Sequence, residues 1–186
     1  AFLVASVWNG EASGFLSLKL MWATMGAASV AFFYLAIARS FNLVAATIAA
    51  LLMSAYTGLI IVATAPNNET PYLLLVSLSL YLASSLLNQP TYKALTCWSI
   101  LNAIACLIRV EHLLFFGLSS LWLYWFWAHP HGKPTDWLKA TRMATLCGIL
   151  FVLTLAPWHF HAWSQIEKFN HNPLKLNPQT EQAYLQ

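Results

Sequence analysis

The sequence contains very little charge. Only 8% of its 186 residues are Asp, Glu, Lys or Arg, whereas 59% are hydrophobic. Soluble domains carry about 25% charged residues, so this composition excludes an ordinary soluble protein and indicates a membrane protein. The nine basic residues are spread along the chain and form no patch, which argues against binding to nucleic acid.

Cysteines and phosphate-binding motifs are also scarce. The three cysteines, Cys97, Cys106 and Cys147, occur singly within apolar segments and form no C-x-x-C pair. We interpret them as small apolar packing residues. The sequence has no Gly-rich phosphate-binding loop and no low-complexity linker, so a nucleotide-binding site is not indicated.

Long apolar runs are what the sequence does contain. A helix rises about 1.5 Å per residue, so about 20 apolar residues cross a hydrocarbon core of about 30 Å. The apolar stretch 94–127 is too long for one span, and Arg109-Val110-Glu111 divides it. The predicted fold class is all-α, a polytopic membrane bundle of about six transmembrane helices. The predicted helices are 18–38, 43–64, 71–87, 94–108, 112–127 and 137–157.

The last predicted helix also sets a domain boundary. A proline interrupts the interior of a helix, so we expect the helix to end at Pro157. Residues 1–157 are then the transmembrane core. Residues 158–186 are the start of an extracytoplasmic loop or domain.

The few charges alternate between the two sides of this predicted bundle. Arg39, Lys93 and the basic residues of 133–142 are in loops on one side, and Lys and Arg accumulate on the cytoplasmic side of membranes. The loops that carry Glu69 and Arg109 are then extracytoplasmic. The sequence therefore predicts an integral, multi-pass membrane protein with its acidic and histidine-bearing loops outside.

Ionisable groups at membrane depth are costly and are therefore candidates for function. Arg109 could bind a phosphate or a carboxylate through its planar guanidinium, with Glu111 holding it in place. The alternative is an ion pair that only allows the chain to turn. Glu69 could orient a metal ion, a cationic side chain or an acceptor hydroxyl, or it could simply favour a helix N-terminus.

The remaining candidates have weaker signals. His112 adjoins the Arg109 break, and Lys19 begins the first helix, where a long side chain can reach the interface. Trp158 and His159 follow Pro157, and an interfacial belt of aromatic residues would account for them without any chemistry.

Four segments of the chain form an ordered set of motifs. They are 16–20 (LSLKL) with 36–41 (AIARSF), 68–73 (NETPYL), 107–113 (LIRVEHL) and 155–158 (LAPW). In this order they resemble motifs of the polyprenyl-phosphate-sugar-dependent membrane glycosyltransferases of the GT-C superfamily, in particular the group that contains bacterial protein O-mannosyltransferase-like and aminoarabinose-transferase-like enzymes. At the third segment Val110 replaces a proline and His112 a glycine, and at the fourth His161-Ala162 replace Arg-Asn.

The resemblance implies a hexosyl- or pentosyltransferase of the inverting type. It would transfer a sugar from a polyprenyl-phosphate donor to a lipid, glycan or protein acceptor on the extracytoplasmic face. Glu69 would be an assisting carboxylate, and Arg109 would stabilise the leaving phosphate. The substrate-binding residues would be Arg109, Glu111, His112, Lys19, Trp158 and His159.

The resemblance also indicates what lies outside this chain. The family's catalytic Asp belongs to an Asp-Glu or Glu-Asp pair in the first extracytoplasmic loop, and residues 1–186 contain no such pair. We therefore expect the chain to correspond to helices two to seven, with the catalytic acid elsewhere. No cofactor is assigned, although a divalent metal ion is compatible with the chemistry. A bacterial inner membrane is favoured over the endoplasmic reticulum.

Two other classes of protein remain open from the sequence. A polytopic transporter also tolerates intramembrane charges, although it would carry them along several helix interiors. A non-catalytic subunit of an envelope assembly complex would account for the absent acid.

Overall fold

The computed structural model describes residues 12–64, 67–129 and 137–171. Within these residues the chain is helical and contains no strand, which confirms the predicted all-α membrane bundle. The helices of this part of the chain are α1 (Ala12–Ser40), α2 (Leu43–Ala55), α3 (Thr57–Thr64), α4 (Glu69–Asn88), α5 (Tyr92–Ile108), α6 (His112–Ala128) and α7 (Trp137–His171).

Three of these helices, α1, α4 and α7, are long and apolar enough to cross a membrane, and α2 and α5 are shorter apolar helices. Their outer surfaces remain apolar. On α2, for example, Leu43, Val44 and Leu52 are 66%, 70% and 69% exposed. Exposed aliphatic side chains at this density suit a surface that faces lipid, because lipid tails are as apolar as leucine.

The predicted second helix, 43–64, is divided in the structure. Tyr56 has an extended backbone (φ −71°, ψ 109°) and separates α2 from α3. Ser54, Thr57 and Gly58 surround the break and are weak helix formers. The Ser54 hydroxyl also donates a hydrogen bond to the carbonyl of Leu51 at 3.0 Å. No charged residue lies near the break, so the apolar run 43–64 gives no sign of it in the sequence.

The prediction that the last helix ends at Pro157 is wrong. In the structure α7 continues through Pro157 to His171. A proline removes one intrahelical hydrogen bond, but an otherwise helical segment in an apolar environment tolerates this loss. Trp158 and His159 are therefore helical residues. The assignment of 158–186 to the extracytoplasmic side stays a prediction.

Helix α4 packs against α1 on one side and against α5 and α6 on the other. It runs parallel to α1, because the indole N–H of Trp22 donates to the carbonyl of Asn67 at 2.8 Å, and the rings of Phe32 and Tyr81 are 5.8 Å apart. It is also parallel to α6, since Tyr72 and His112 meet near the starts of the two helices and the indole N–H of Trp127 donates to the carbonyl of Leu86 near their ends, at 3.2 Å.

The apolar core lies between α4, α5, α6 and α7. The ring of Phe116 on α6 stacks on Phe151 of α7 with 3.9 Å between centroids, and it lies 5.4 Å from Trp98 of α5. Cys147 is buried and accepts a hydrogen bond from the Ser99 hydroxyl at 3.1 Å, in agreement with a packing role. Cys97, by contrast, is exposed.

These helix directions define two ends of the bundle. The starts of α1, α4 and α6 lie with the end of α5 and the later part of α7, and we call this the Arg109 end. The opposite end, where α1, α4 and α6 finish and α5 and α7 begin, is the Arg39 end. Phe116–Phe151 and Tyr124–Trp137 establish that α7 runs antiparallel to α6, with the second pair 5.9 Å apart near the Arg39 end.

Candidate functional site

The Arg109 end begins with the turn before α4. The side-chain oxygen of Asn67 accepts hydrogen bonds from the backbone N–H groups of Glu69 at 3.0 Å and Thr70 at 3.1 Å. Asn67 therefore caps the helix, as side-chain acceptors do at helix N-termini. Glu69 is exposed beside it, and its carboxylate is not needed to satisfy these donors.

Arg109 lies in the turn that joins α5 to α6. Its backbone is extended, and its carbonyl accepts from the N–H of His112 at 3.0 Å. Its Nε is 3.7 Å from a carboxylate oxygen of Glu111, and the two side chains are 44% and 72% exposed. An exposed ion pair of this length contributes about 0–1 kcal/mol.

The guanidinium of Arg109 also faces helix α4. Its Cζ lies 5.4 Å from the centroid of the Tyr72 ring, within the range of a cation–π interaction. Tyr72 is one turn beyond Glu69 and is only partly buried. The turn between α5 and α6 is thus joined to the first turn of α4 through an arginine that remains accessible.

Behind Tyr72 a chain of hydrogen bonds leads into the core. The Tyr72 hydroxyl is 3.2 Å from Nδ1 of His112, and Nε2 of His112 is 2.8 Å from Oδ1 of Asn102. The Ser79 hydroxyl donates to the same Oδ1 at 3.1 Å. His112, Asn102 and Ser79 are all fully buried. Three helices therefore contribute to one buried polar network.

The hydrogen-bond partners determine the direction of this network. The Nδ2 of Asn102 donates to the carbonyl of Trp98 at 2.7 Å, so its Oδ1 faces His112 as an acceptor. Nε2 of His112 must then carry the proton, and the neutral ring has its acceptor at Nδ1. The Tyr72 hydroxyl consequently donates its proton to Nδ1.

All the predicted site residues whose side chains are described lie at the Arg109 end. Lys19 is exposed on α1, one turn before Trp22, which bonds to the turn before α4. Trp158 and His159 are exposed on α7, about two turns beyond Phe151.

The structure brings only some of these residues into contact. Arg109 contacts Glu111 and the Tyr72 ring, and Tyr72 is bonded to His112. Trp158 instead contacts His161 of its own helix, with 6.3 Å between ring centroids. Convergence of the whole set on one ligand stays a prediction.

Three residues of the network, Tyr72, Asn102 and Ser79, are not among the predicted site residues. A signal for two of them is present, because Asn102 and Ser79 are polar residues within apolar runs, where a polar group needs a buried partner. No sequence signal indicates that His112 supplies that partner. Tyr72 resembles any interfacial aromatic residue until its contacts are known.

The network differs from a metal centre. Among the residues that the structure describes, no group of three His, Cys, Asp or Glu side chains could hold a metal ion. His112 uses both ring nitrogens in hydrogen bonds to Tyr72 and Asn102.

The Arg39 end has a different arrangement. The guanidinium of Arg39 donates to the Ser85 hydroxyl, and its Cζ is 4.2 Å from the centroid of the Tyr81 ring. An open cleft of about 380 Å³ adjoins this group. The residues that line the cleft are Arg39, Ser85, Asn88, Gln89, Thr91 and Ala94.

Comparison with known proteins identifies the family. No individual curated protein and no solved structure matches the sequence. Residues 2–174 match the Alg9-like mannosyltransferase family, so the match includes every described helix. It confirms the predicted membership of the GT-C superfamily and supports a membrane glycosyltransferase rather than a transporter. A bundle of apolar helices with a polar site at one end agrees with this assignment, and the chain belongs to the Alg9-like mannosyltransferase family.

Proposed function

We propose that the protein transfers mannose from a polyprenyl-phosphate donor to a lipid, glycan or protein acceptor at the extracytoplasmic face of its membrane. One observation carries this proposal. Arg109 is accessible at one end of an apolar bundle, and the Tyr72 ring that it faces is bonded to a buried network from three helices. Such a cation suits an anionic group at the membrane interface.

The proposed reaction is a single displacement with inversion. A bond forms between the acceptor oxygen and the anomeric carbon while the bond from that carbon to the phosphate oxygen breaks. Arg109 stabilises the charge that develops on the departing polyprenyl phosphate. A general base takes the proton of the acceptor hydroxyl, and Glu69 assists from the first turn of α4.

The distribution of charge supports the orientation. Among the side chains that the structure describes, Lys19 and Arg109 are the basic groups at the Arg109 end. The Arg39 end has twice as many basic groups, which are Arg39, Lys93, Lys139 and Arg142. We therefore infer that the Arg39 end is cytoplasmic. The choice of a bacterial inner membrane over the endoplasmic reticulum stays a prediction.

The donor is tested with the full-length protein in proteoliposomes. We expect mannose transfer from polyprenyl-phosphate mannose and none from nucleotide-activated mannose. Transfer from the nucleotide donor alone, or from neither donor, would contradict the proposal.

The orientation is tested by labelling single cysteines at the two ends of α4. The three native cysteines are replaced first, and a cysteine is then introduced at Asn67 or at Gln89. An impermeant thiol reagent should label the Asn67 position from the extracytoplasmic side and the Gln89 position from the cytoplasmic side. Labelling of both from one side would rule out the topology.

A further inference from the structure

Tyr72 occupies the junction between the accessible and the buried parts of the site. Its ring faces the guanidinium of Arg109, and its hydroxyl is bonded to the fully buried His112. The side chain itself is only partly buried. A ligand bound by Arg109 would therefore be next to a tyrosine whose orientation the core determines.

The direction of the network decides what this tyrosine can recognise. Its hydroxyl proton is directed to Nδ1 of His112, because Nε2 carries the proton that Asn102 accepts. The His112 ring contacts three neutral groups. It is bonded to Tyr72 and Asn102, and the ring of Phe115 stacks on it with 4.9 Å between centroids. The phenolic oxygen of Tyr72 is left as a hydrogen-bond acceptor.

An acceptor discriminates between the two parts of a sugar phosphate. A polyprenyl-phosphate diester is anionic and has no proton to donate, so it cannot bond to this oxygen. A sugar hydroxyl can. Building on the proposed function, we propose that the Tyr72 oxygen accepts a hydrogen bond from a hydroxyl group of the transferred sugar, with His112 and Asn102 as positioning residues.

The geometry accommodates both parts of the donor. The anomeric phosphate and the ring hydroxyls of one sugar phosphate are separated by only a few ångströms. The guanidinium of Arg109 lies beside the ring that carries the Tyr72 hydroxyl, with 5.4 Å from Cζ to the ring centroid. Arg109 would bind the phosphate while Tyr72 binds the sugar attached to it.

The test compares polyprenyl-phosphate mannose with its monodeoxy analogues in the full-length protein. The wild type should lose about tenfold in kcat/KM with one particular deoxy donor, the effect of about one hydrogen bond. Tyr72→Phe removes only the hydroxyl and should use that donor and the parent donor equally well. Tyr81→Phe, the matched change at the other end of α4, should keep the wild-type preference.

The positioning residues are tested through the protonation of His112. Asn102→Asp supplies a carboxylate that stabilises the doubly protonated ring, so Nδ1 becomes a donor to the Tyr72 oxygen. The Tyr72 O–H is then released to donate to the sugar, so Asn102→Asp should use a deoxyfluoro donor, whose fluorine can only accept, better relative to the parent donor than the wild type does. The ¹⁵N resonances of His112 should show the neutral tautomer protonated at Nε2 in the wild type and the charged ring in Asn102→Asp.

The outcomes separate this inference from the proposed function. An active Tyr72→Phe variant with wild-type discrimination, or a wild-type His112 protonated at Nδ1, would overturn the role of Tyr72 alone. A wild-type protein that transfers no sugar from any polyprenyl-phosphate donor would overturn the proposed function, and the assignment of a sugar to Tyr72 with it.

Discussion

The two ends of α4 present the same pair of residue types in two different settings. At the Arg109 end the guanidinium lies 5.4 Å from the Tyr72 ring, and at the Arg39 end it lies 4.2 Å from the Tyr81 ring. Arg39 is also bonded to Ser85, one turn beyond Tyr81 on the same helix. Arg109 has the exposed Glu111 instead, at 3.7 Å.

This difference separates an arginine that holds helices together from one that is available to a ligand. Arg39 joins the end of α1 to α4 in two ways, because its guanidinium lies over the Tyr81 ring and also donates to the Ser85 hydroxyl. Arg109 is more loosely held, while the tyrosine beneath it is connected to buried groups of α5 and α6. Substitutions at matched positions can therefore distinguish the two roles.

The largest difference is expected when each arginine is truncated. Arg109→Ala should reduce sugar transfer about 100-fold or more if it removes the positive charge that we propose lies beside the leaving phosphate. Arg39→Ala should leave transfer within about threefold, and should lower the free energy of unfolding by about 1 kcal/mol through lost contacts with Tyr81 and Ser85. Transfer rates and thermal unfolding in detergent measure both effects. Equal losses of transfer in the two variants would contradict the comparison.

A smaller difference is expected for the groups that lie behind each arginine. Asn102→Leu leaves the buried His112 and Ser79 donors without their acceptor and should lower the free energy of unfolding by about 1–3 kcal/mol. Ser85→Ala removes a solvent-exposed hydrogen bond of Arg39 and should cost less than about 1 kcal/mol, because water can replace the serine hydroxyl. Denaturation of both variants under the same conditions tests this order. A Ser85→Ala variant that is less stable than Asn102→Leu would reverse it.

Replacing each arginine by lysine tests the geometry of the cation rather than its charge. Arg109→Lys keeps the charge but loses the planar fork, so transfer should fall about tenfold, between the wild type and Arg109→Ala. Arg39→Lys should leave transfer unchanged. If Arg109→Lys matched the wild type, a point charge would be sufficient at this position.

The smallest effect is expected at the Arg109–Glu111 ion pair. Glu111→Gln should change the free energy of unfolding by less than about 1 kcal/mol, because both side chains are exposed and solvent screens the pair. Transfer should change no more than about threefold, since the Tyr72 ring still faces Arg109. A loss as large as that of Arg109→Ala would make Glu111 part of the reaction itself.

Most of the helical structure follows from the sequence because apolar runs and their interruptions are local features. The predicted helix 94–108 matches α5 to within two residues at its start, and the turn at Arg109 is where the charges predict it. Two predicted helices differ from the structure. The apolar run 43–64 contains no charge to mark the break at Tyr56, and α7 continues through Pro157 although a proline removes one helical hydrogen bond there.

The sequence by itself determined the membrane class, the approximate helices, the polar residues between them and the resemblance to the GT-C superfamily. These properties depend on the hydrophobicity and order of residues along the chain. Only the tertiary structure decided that His112 meets Tyr72 and Asn102, which are 40 and 10 positions away from it, and that Ser79 meets Asn102 across 23 positions. Hydrogen-bond direction depends on which groups face each other across three packed helices, and no local pattern in the sequence specifies those distances.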